Sequence, residues 1–274
     1  MALTIQTNVS ALTAQKNLGA NQKMLAGSFQ KLSSGFRVNT AADDAAGLAV
    51  SESMKSQIRS YTVGERNAAD GISMAQTAEG ALGQVHDVLG RMRELAMQSS
   101  NGSMTSTDRT NLDTEFASLK AEIGRIQDSA KFNGKQLVAV SGETIKFQVG
   151  LNATASDQIS VTFGGVNLSS LLATASSVAD FSAAQAALSN IDTSIQSVSN
   201  SRAKFGTAMN RLEIATSNIQ TMRLNLSAAN SRIVDVDVAT ETAAMSRNQV
   251  LSQAGVSVLA QANQLPQLAF GLLR

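Results

Sequence analysis

Cysteine is absent from these 274 residues, which excludes disulfide frameworks, thiolate zinc sites and cysteine nucleophiles. Tryptophan is absent as well, aromatics make up only 4% of the chain, and there is a single proline. That balance fits small-residue packing between helices better than a β-sandwich or an enzyme core. Charge of one sign is also lacking: 22 basic residues face 21 acidic ones for a net charge of +1. Both signs alternate in stretches such as GRMREL (90–95), so the charge forms solvated faces and no nucleic-acid stripe; no nucleic-acid partner is expected. No run of eighteen apolar residues exists, so no transmembrane helix and no membrane partner are expected. The opening MALTIQTNVSALTAQKNL carries no basic leader, apolar block or small-residue cleavage site, and therefore does not read as a secretory signal.

Chemistry-bearing groups are equally scarce. His86 is the one histidine, and with Val85 and Leu89 beside it on a helix it reads as a helix-flank residue. Asp43 and Asp44 are adjacent and cannot face each other in a helix, so they read as a helix start or a polar clamp. Asp235 and Asp237, in the alternating run IVDVDV, read as a solvated extended link between helices. GERNAADG and GGVNLSS lack the spacing and the lysine of a phosphate cradle. No catalytic residue, cofactor or metal is expected.

What the chain does have is a seam. Ala184, Ile191, Val198, Phe205, Leu212, Ile219, Leu226 and Ile233 recur every seventh residue without exception. A sustained seven-residue repeat winds helices into a left-handed coiled coil, and an ordinary helix bundle would use the same face. A helix over these positions would be about 75 Å long at a rise of about 1.5 Å per residue. Four residues on, the companion positions are Leu188, Ile195, Arg202, Met209, Thr216, Arg223 and Asn230, which suggests partners that change along the helix.

Elsewhere, Ile5, Val9, Leu12, Leu18, Leu25, Phe29 and Leu32 predict an N-terminal amphipathic helix ending near Ser34-Gly35, with a loop from Asn39 to Asp44. Two more helices follow. One carries Leu82, Val85, Leu89, Met92 and Ala96 and breaks at Asn101-Gly102; the other carries Leu112, Phe116, Leu119, Ile123, Ile126 and Ala130 and stops at Asn133-Gly134. The period changes to two only between Lys135 and about Leu168. Ile145, Phe147 and Val149, then Ile159, Val161 and Phe163, alternate with polar residues around a turn-like GLNATASD, a β-hairpin that Leu137 to Val140 would extend.

The last helix places Leu251, Val258, Leu265 and Leu272 on one seam, with Gly255, Ala262 and Ala269 following the first three by four residues. From Asn248 onward its only charge is Arg274. Neither terminal segment can bury its stripe within itself, so the two should pair with each other and with neighbouring copies, and be disordered until they do. The expected fold is mainly α: a long helical bundle or coiled coil with discontinuous terminal helices and one small β-hairpin region.

Several long strings in order, KLSSGFRVNTAADDAAGLAVSE (31–52), NAADGISMAQTAEGAL (67–82), RMRELAMQSSN (91–101), KFNG (131–134), FQVG (147–150) and the stretch from Ser231 to Arg274, resemble bacterial flagellin. That resemblance implies a discontinuous inner, channel-lining coiled-coil domain (1–43 and 235–274) around which a helical core domain (44–234) is wrapped. The hairpin would lie at about 135–170, with no large outer variable domain. It implies a subunit that is exported unfolded through the flagellar type III apparatus and polymerises with itself into the extracellular filament. The partners it implies are an export chaperone, hook-junction and filament-cap proteins, Toll-like receptor 5 and inflammasome sensors.

Receptor recognition or assembly would fall on Arg91, Leu95 and Glu115. Polymerisation would fall on the terminal positions Ile5, Val9, Leu12, Leu251, Val258, Leu265 and Leu272; the seam with Leu265, Leu268 and Leu272 also resembles the part bound by chaperone and sensors. A hook-filament junction protein of the same machine and a soluble helical binding module are the competing readings.

Overall fold

The computed structural model describes residues 7–173 and 176–272, with side chains through Gln264. Ile5 and the side chains of Leu265 and Leu272 thus lie outside the described residues. Six helices dominate: α1 Val9–Ser34, α2 Ala45–Ser99, α3 Ser106–Ser129, α4 Ser169–Leu172, α5 Phe181–Val234 and α6 Val238–Leu272. Four short strands, β1 Lys131–Phe132, β2 Lys135–Gln136, β3 Glu143–Gln148 and β4 Gln158–Phe163, form two antiparallel two-stranded sheets. The chain divides into a terminal unit, 1–56 with 225–274, and a core unit, 57–224.

The core unit is built on the seven-residue seam. Ala184, Ile191, Val198, Phe205, Leu212 and Ile219 are all buried, packed with Leu82, Val85, Leu89, Met92 and Ala96 of α2 and Phe116, Ile123 and Ile126 of α3. The period-two segment is the hairpin expected of it, with β3 and β4 paired from Glu143↔Phe163 to Gln148↔Gln158. Phe147, Ile159, Val161 and Phe163 point to the core, while Thr144, Lys146, Ser160 and Thr162 point to solvent. Phe163 stacks on Phe205 of the seam with ring centroids 5.4 Å apart, joining sheet to helix. Gly164 ends β4 at φ 77°, where an added Cβ would lie 2.6 Å from the carbonyl oxygen of Ser141, so only glycine fits.

One expected boundary is wrong. α3 stops at Ser129, and Asn133-Gly134 does not end a helix but forms the two-residue turn of the β1–β2 hairpin, both residues at positive φ (48° and 78°). Asn-Gly is the favoured pair for a type I′ turn, whose twist matches that of the flanking strands.

The polar companion positions of α5 include ion-pair partners of α2. Arg223 pairs with Glu65 (2.6 Å), Arg202 with Glu79 (3.1 Å) and Asp192 with Arg93 (2.8 Å). The α2 members are spaced fourteen residues apart, two heptads, and their partners run in the opposite direction along α5. α2 is one partner along these rungs, its polar residues answering those of α5, while the hairpin joins α5 at Phe205. In the terminal unit Ser51, fourteen residues before Glu65, donates to the side-chain oxygen of Asn230 (2.7 Å).

Carboxylates punctuate the helix starts. Asp44 accepts from the backbone N–H of Gly47 at the head of α2, and Asp43 accepts from the N–H groups of Asn39 and Thr40 and from the Thr40 hydroxyl. Both are therefore the helix start and polar clamp that the sequence suggests. Asp237 accepts from the N–H groups of Ala239 and Thr240 and from the Thr240 hydroxyl, so it caps α6. Asp235 is exposed in the extended link between α5 and α6, as expected, and that link is also anchored: Asp235 bridges Phe36, beside which Val236 N–H donates to Gly35 and Arg37 N–H to Val234.

Hydrogen bonds to Thr40 hold Asp43, and those to Thr240 hold Asp237, below the ordinary carboxylate range. A folded-state pKa that is lowered contributes stability above the unfolded value and loses it as pH falls through the folded value. The helical signal of the terminal unit should thus be level from neutral pH down to the ordinary carboxylate range and drop below it. Circular dichroism against pH checks this, and Asp237→Asn, which caps without titrating, should flatten part of the drop.

Candidate assembly surface

The terminal unit differs from the core unit in what it buries. α1 and α6 pack against each other, with Asn8 donating to the Ala262 carbonyl (2.7 Å) and Leu18 lying where a Cβ on Gly255 would touch it (3.4 Å). The less exposed positions of α1 include Ala11, Ala14, Leu18, Asn21, Leu25, Ser28 and Leu32, and those of α6 include Met245, Asn248, Ser252, Gly255, Leu259 and Ala262. Both sets alternate three and four residues, a coiled-coil spacing, but they are mostly small or polar. Among the described residues of this unit, the buried apolar side chains are Val38, Val234 and Ala262 alone. Leu226 and Ile233, which continue the α5 seam here, are only half-buried.

Many larger apolar side chains face away. Val9 is 64% exposed, Leu12 58%, Val258 54% and Leu251 45%, and Met24, Phe29, Val238, Val250 and Val256 are exposed as well. This corrects the single terminal seam read from sequence. Gly255 and Ala262 do face α1, but Leu251 and Val258 sit on its flank. Likewise Leu18, Leu25 and Leu32 line the α1–α6 contact while Val9, Leu12 and Phe29 lie outside it. Burying one such side chain is worth about 1.5–3 kcal/mol, so the outward row is a large unused source of association energy.

Arg91 and Glu115 meet on the core unit. The Arg91 guanidinium bridges Glu115 (2.8 Å) and Glu94 (2.9 Å), all three side chains being well exposed. Hydrogen bonds to Glu94 and then Glu115 raise the arginine further above its ordinary range. Leu95 does not join this face: it is 1% exposed and turned into the core. His86, on α2, is half-buried with its Nδ1 buried and unpartnered, in keeping with a helix-flank position. Periodicity did not reveal the outward apolar row as separate from the inner one; the signal available was the large-then-small alternation along α6.

A helical subunit with a well-buried core unit and a terminal helix pair that leaves much apolar surface outward has the build of a polymer-forming protein. Residues 5–142 match the bacterial flagellin N-terminal helical region and residues 188–273 the bacterial flagellin C-terminal helical region. The chain is 43% identical over 272 residues to a flagellin of Halalkalibacterium halodurans and 38% identical over 306 residues to one of Bacillus subtilis, covering 99% of this chain and 100% of each relative. The crystal structure of Bacillus cereus flagellin is similar at 33% identity and a TM-score of 0.50, over 60% of this chain and 94% of that one. The chain belongs to the bacterial flagellins. It is a structural subunit that polymerises with itself into the extracellular filament of the flagellum, the organelle of swimming motility.

Proposed function

We propose that the terminal helices, residues 1–43 and 235–274, form the channel-lining layer of the filament and that 44–234 form the helical layer around it. The outward apolar row on α1 and α6 supports this reading, because a helix pair that buries so little within one chain needs neighbouring copies to cover it. Interfaces between different patches, head to tail, build an open helix and no closed ring. Export through the flagellar type III apparatus with a chaperone on the C-terminal helix, and contacts with junction and cap proteins at the filament ends, belong to the same proposal. The chain's role is structural and not catalytic.

Limited trypsin digestion tests the layer assignment. Lys16, Lys23, Lys31 and Arg247 should be cut readily in the monomer, where the terminal unit opens at little cost, and protected in the filament. Equal protection in both states would sink the assignment.

The exposed Arg91–Glu115 pair is proposed as a recognition face for Toll-like receptor 5, and the C-terminal helix as the part read by inflammasome sensors. Arg91→Ala should lower receptor activation while leaving monomer stability nearly unchanged, since exposed ion pairs contribute little. Leu95→Ala should cost about 2–5 kcal/mol of stability, because it empties a core position. Reporter-cell assays on purified monomer, paired with urea melts, separate the two effects; unchanged potency of Arg91→Ala would remove the receptor role from this face.

A further inference from the structure

Within the core unit, a groove of about 500 Å³ lies between α2 and the two hairpins. Its apolar walls are Met74, Phe132, Ile145 and Phe147, and two of its rim charges, Asp70 and Lys146, have no ion-pair partner within 4 Å among the described residues. On α5 of the same unit, Ile214 stands 63% exposed between Arg211 and Glu213, which are likewise exposed and unpaired. The two features are complements: an apolar hollow with one anion and one cation beside it, and an apolar knob with one cation and one anion beside it. Leu224 is more exposed still at 70%, so exposure alone does not mark Ile214; the charges beside knob and hollow do, because unpaired rim charges set register and encounter more than affinity.

We propose that Ile214 of one copy seats in the Met74–Phe147 groove of the next, with Arg211 meeting Asp70 and Glu213 meeting Lys146. Knob and groove are different patches, so the contact is head to tail and propagates, as a filament requires. The inference rests on the filament reading but concerns the core unit, so it stands or falls apart from the terminal helices.

A charge-exchange cycle decides it. Seeded elongation of the full chain is followed by light scattering for Asp70→Arg, for Arg211→Asp and for the combination, with circular dichroism of each monomer. Each single variant should elongate about tenfold more slowly, and the combination should recover to within about threefold of the parent chain. Ile214→Ser should slow elongation with no rescue by either charge change. Should a reversal disturb the monomer, the neutral pair Asp70→Asn and Arg211→Gln replaces it; non-additive effects then support the contact and additive ones overturn it. Normal elongation of both single reversals overturns the proposal while leaving the terminal-helix assembly intact, as does impairment without rescue. Failure of the unmodified chain to elongate would instead strike at the filament reading itself.

Discussion

Val258→Asp should abolish filament formation while leaving the monomer folded. Val258 is 54% exposed in the single subunit, so a carboxylate there stays hydrated and costs the monomer little. On the proposed assembly the same position would become an apolar contact, and the neighbouring stretch of α6 offers no counter-ion, since Asn248 to Gln264 contain no charged residue. Desolvating an unpaired carboxylate costs several kcal/mol, and the cost recurs at every subunit. Sedimentation should show only monomer, and circular dichroism should show the helices of the core unit retained. Leu251→Asp, on the same flank but within one turn of Arg247, which can pair with it, should impair assembly less. Filaments of normal length from either variant would move the assembly element away from α6.

Phe163→Ala should produce the largest loss of monomer stability among single truncations of the hairpin, about 3–5 kcal/mol. The ring is 1% exposed and stacked on Phe205, which is itself fully buried in the α5 seam. Removing it leaves a cavity where hairpin and helix share aromatic faces, and Gly164 next to it is tied by its N–H to the Leu137 carbonyl (2.9 Å). Urea unfolding monitored by circular dichroism checks the magnitude. A loss under about 1 kcal/mol would mean the hairpin sits on the helices without contributing to them. The opposite face gives the contrast, since Thr144→Ala or Thr162→Ala removes an exposed hydroxyl pair and should be nearly neutral.

The core unit was legible because each of its patterns has one partner. Eight positions at strict heptad spacing fix which face of α5 turns inward, and the stretch from Ile145 to Phe163 fixes which side of the hairpin follows it. The terminal unit was legible only in part, for a physical reason. α1 carries apolar residues both on its inner face, at Leu18, Leu25 and Leu32, and away from it, Val9 and Leu12 opposite and Phe29 on the flank, and a reading that collects apolar residues at three- and four-residue steps merges them. Which set faces the same chain and which faces another copy depends on close approach, set here by Gly255 and Ala262. Asn133-Gly134 was misread for a related reason: the pair ends helices and turns hairpins with equal ease, and only the strands on either side, two residues each, tell them apart. Leu95 shows the limit of carrying a role over by motif, since a position within a recognised string can belong to the core beneath the recognised face.

The rungs that join α2 to α5 have a mechanical meaning. Glu65, Glu79 and Arg93 hold Arg223, Arg202 and Asp192 at intervals of two heptads. To slide by one heptad, about 10 Å, the helices would have to break all three ion pairs together and set Ile58, Ile72 and His86 in their places on α2. No single rung is strong, but the three share one register, so a slide must break them together and unseat the buried seam of α5 as well. A shaft that carries a motor's twist along its length needs such a key against slippage, while its individual helices remain free to flex.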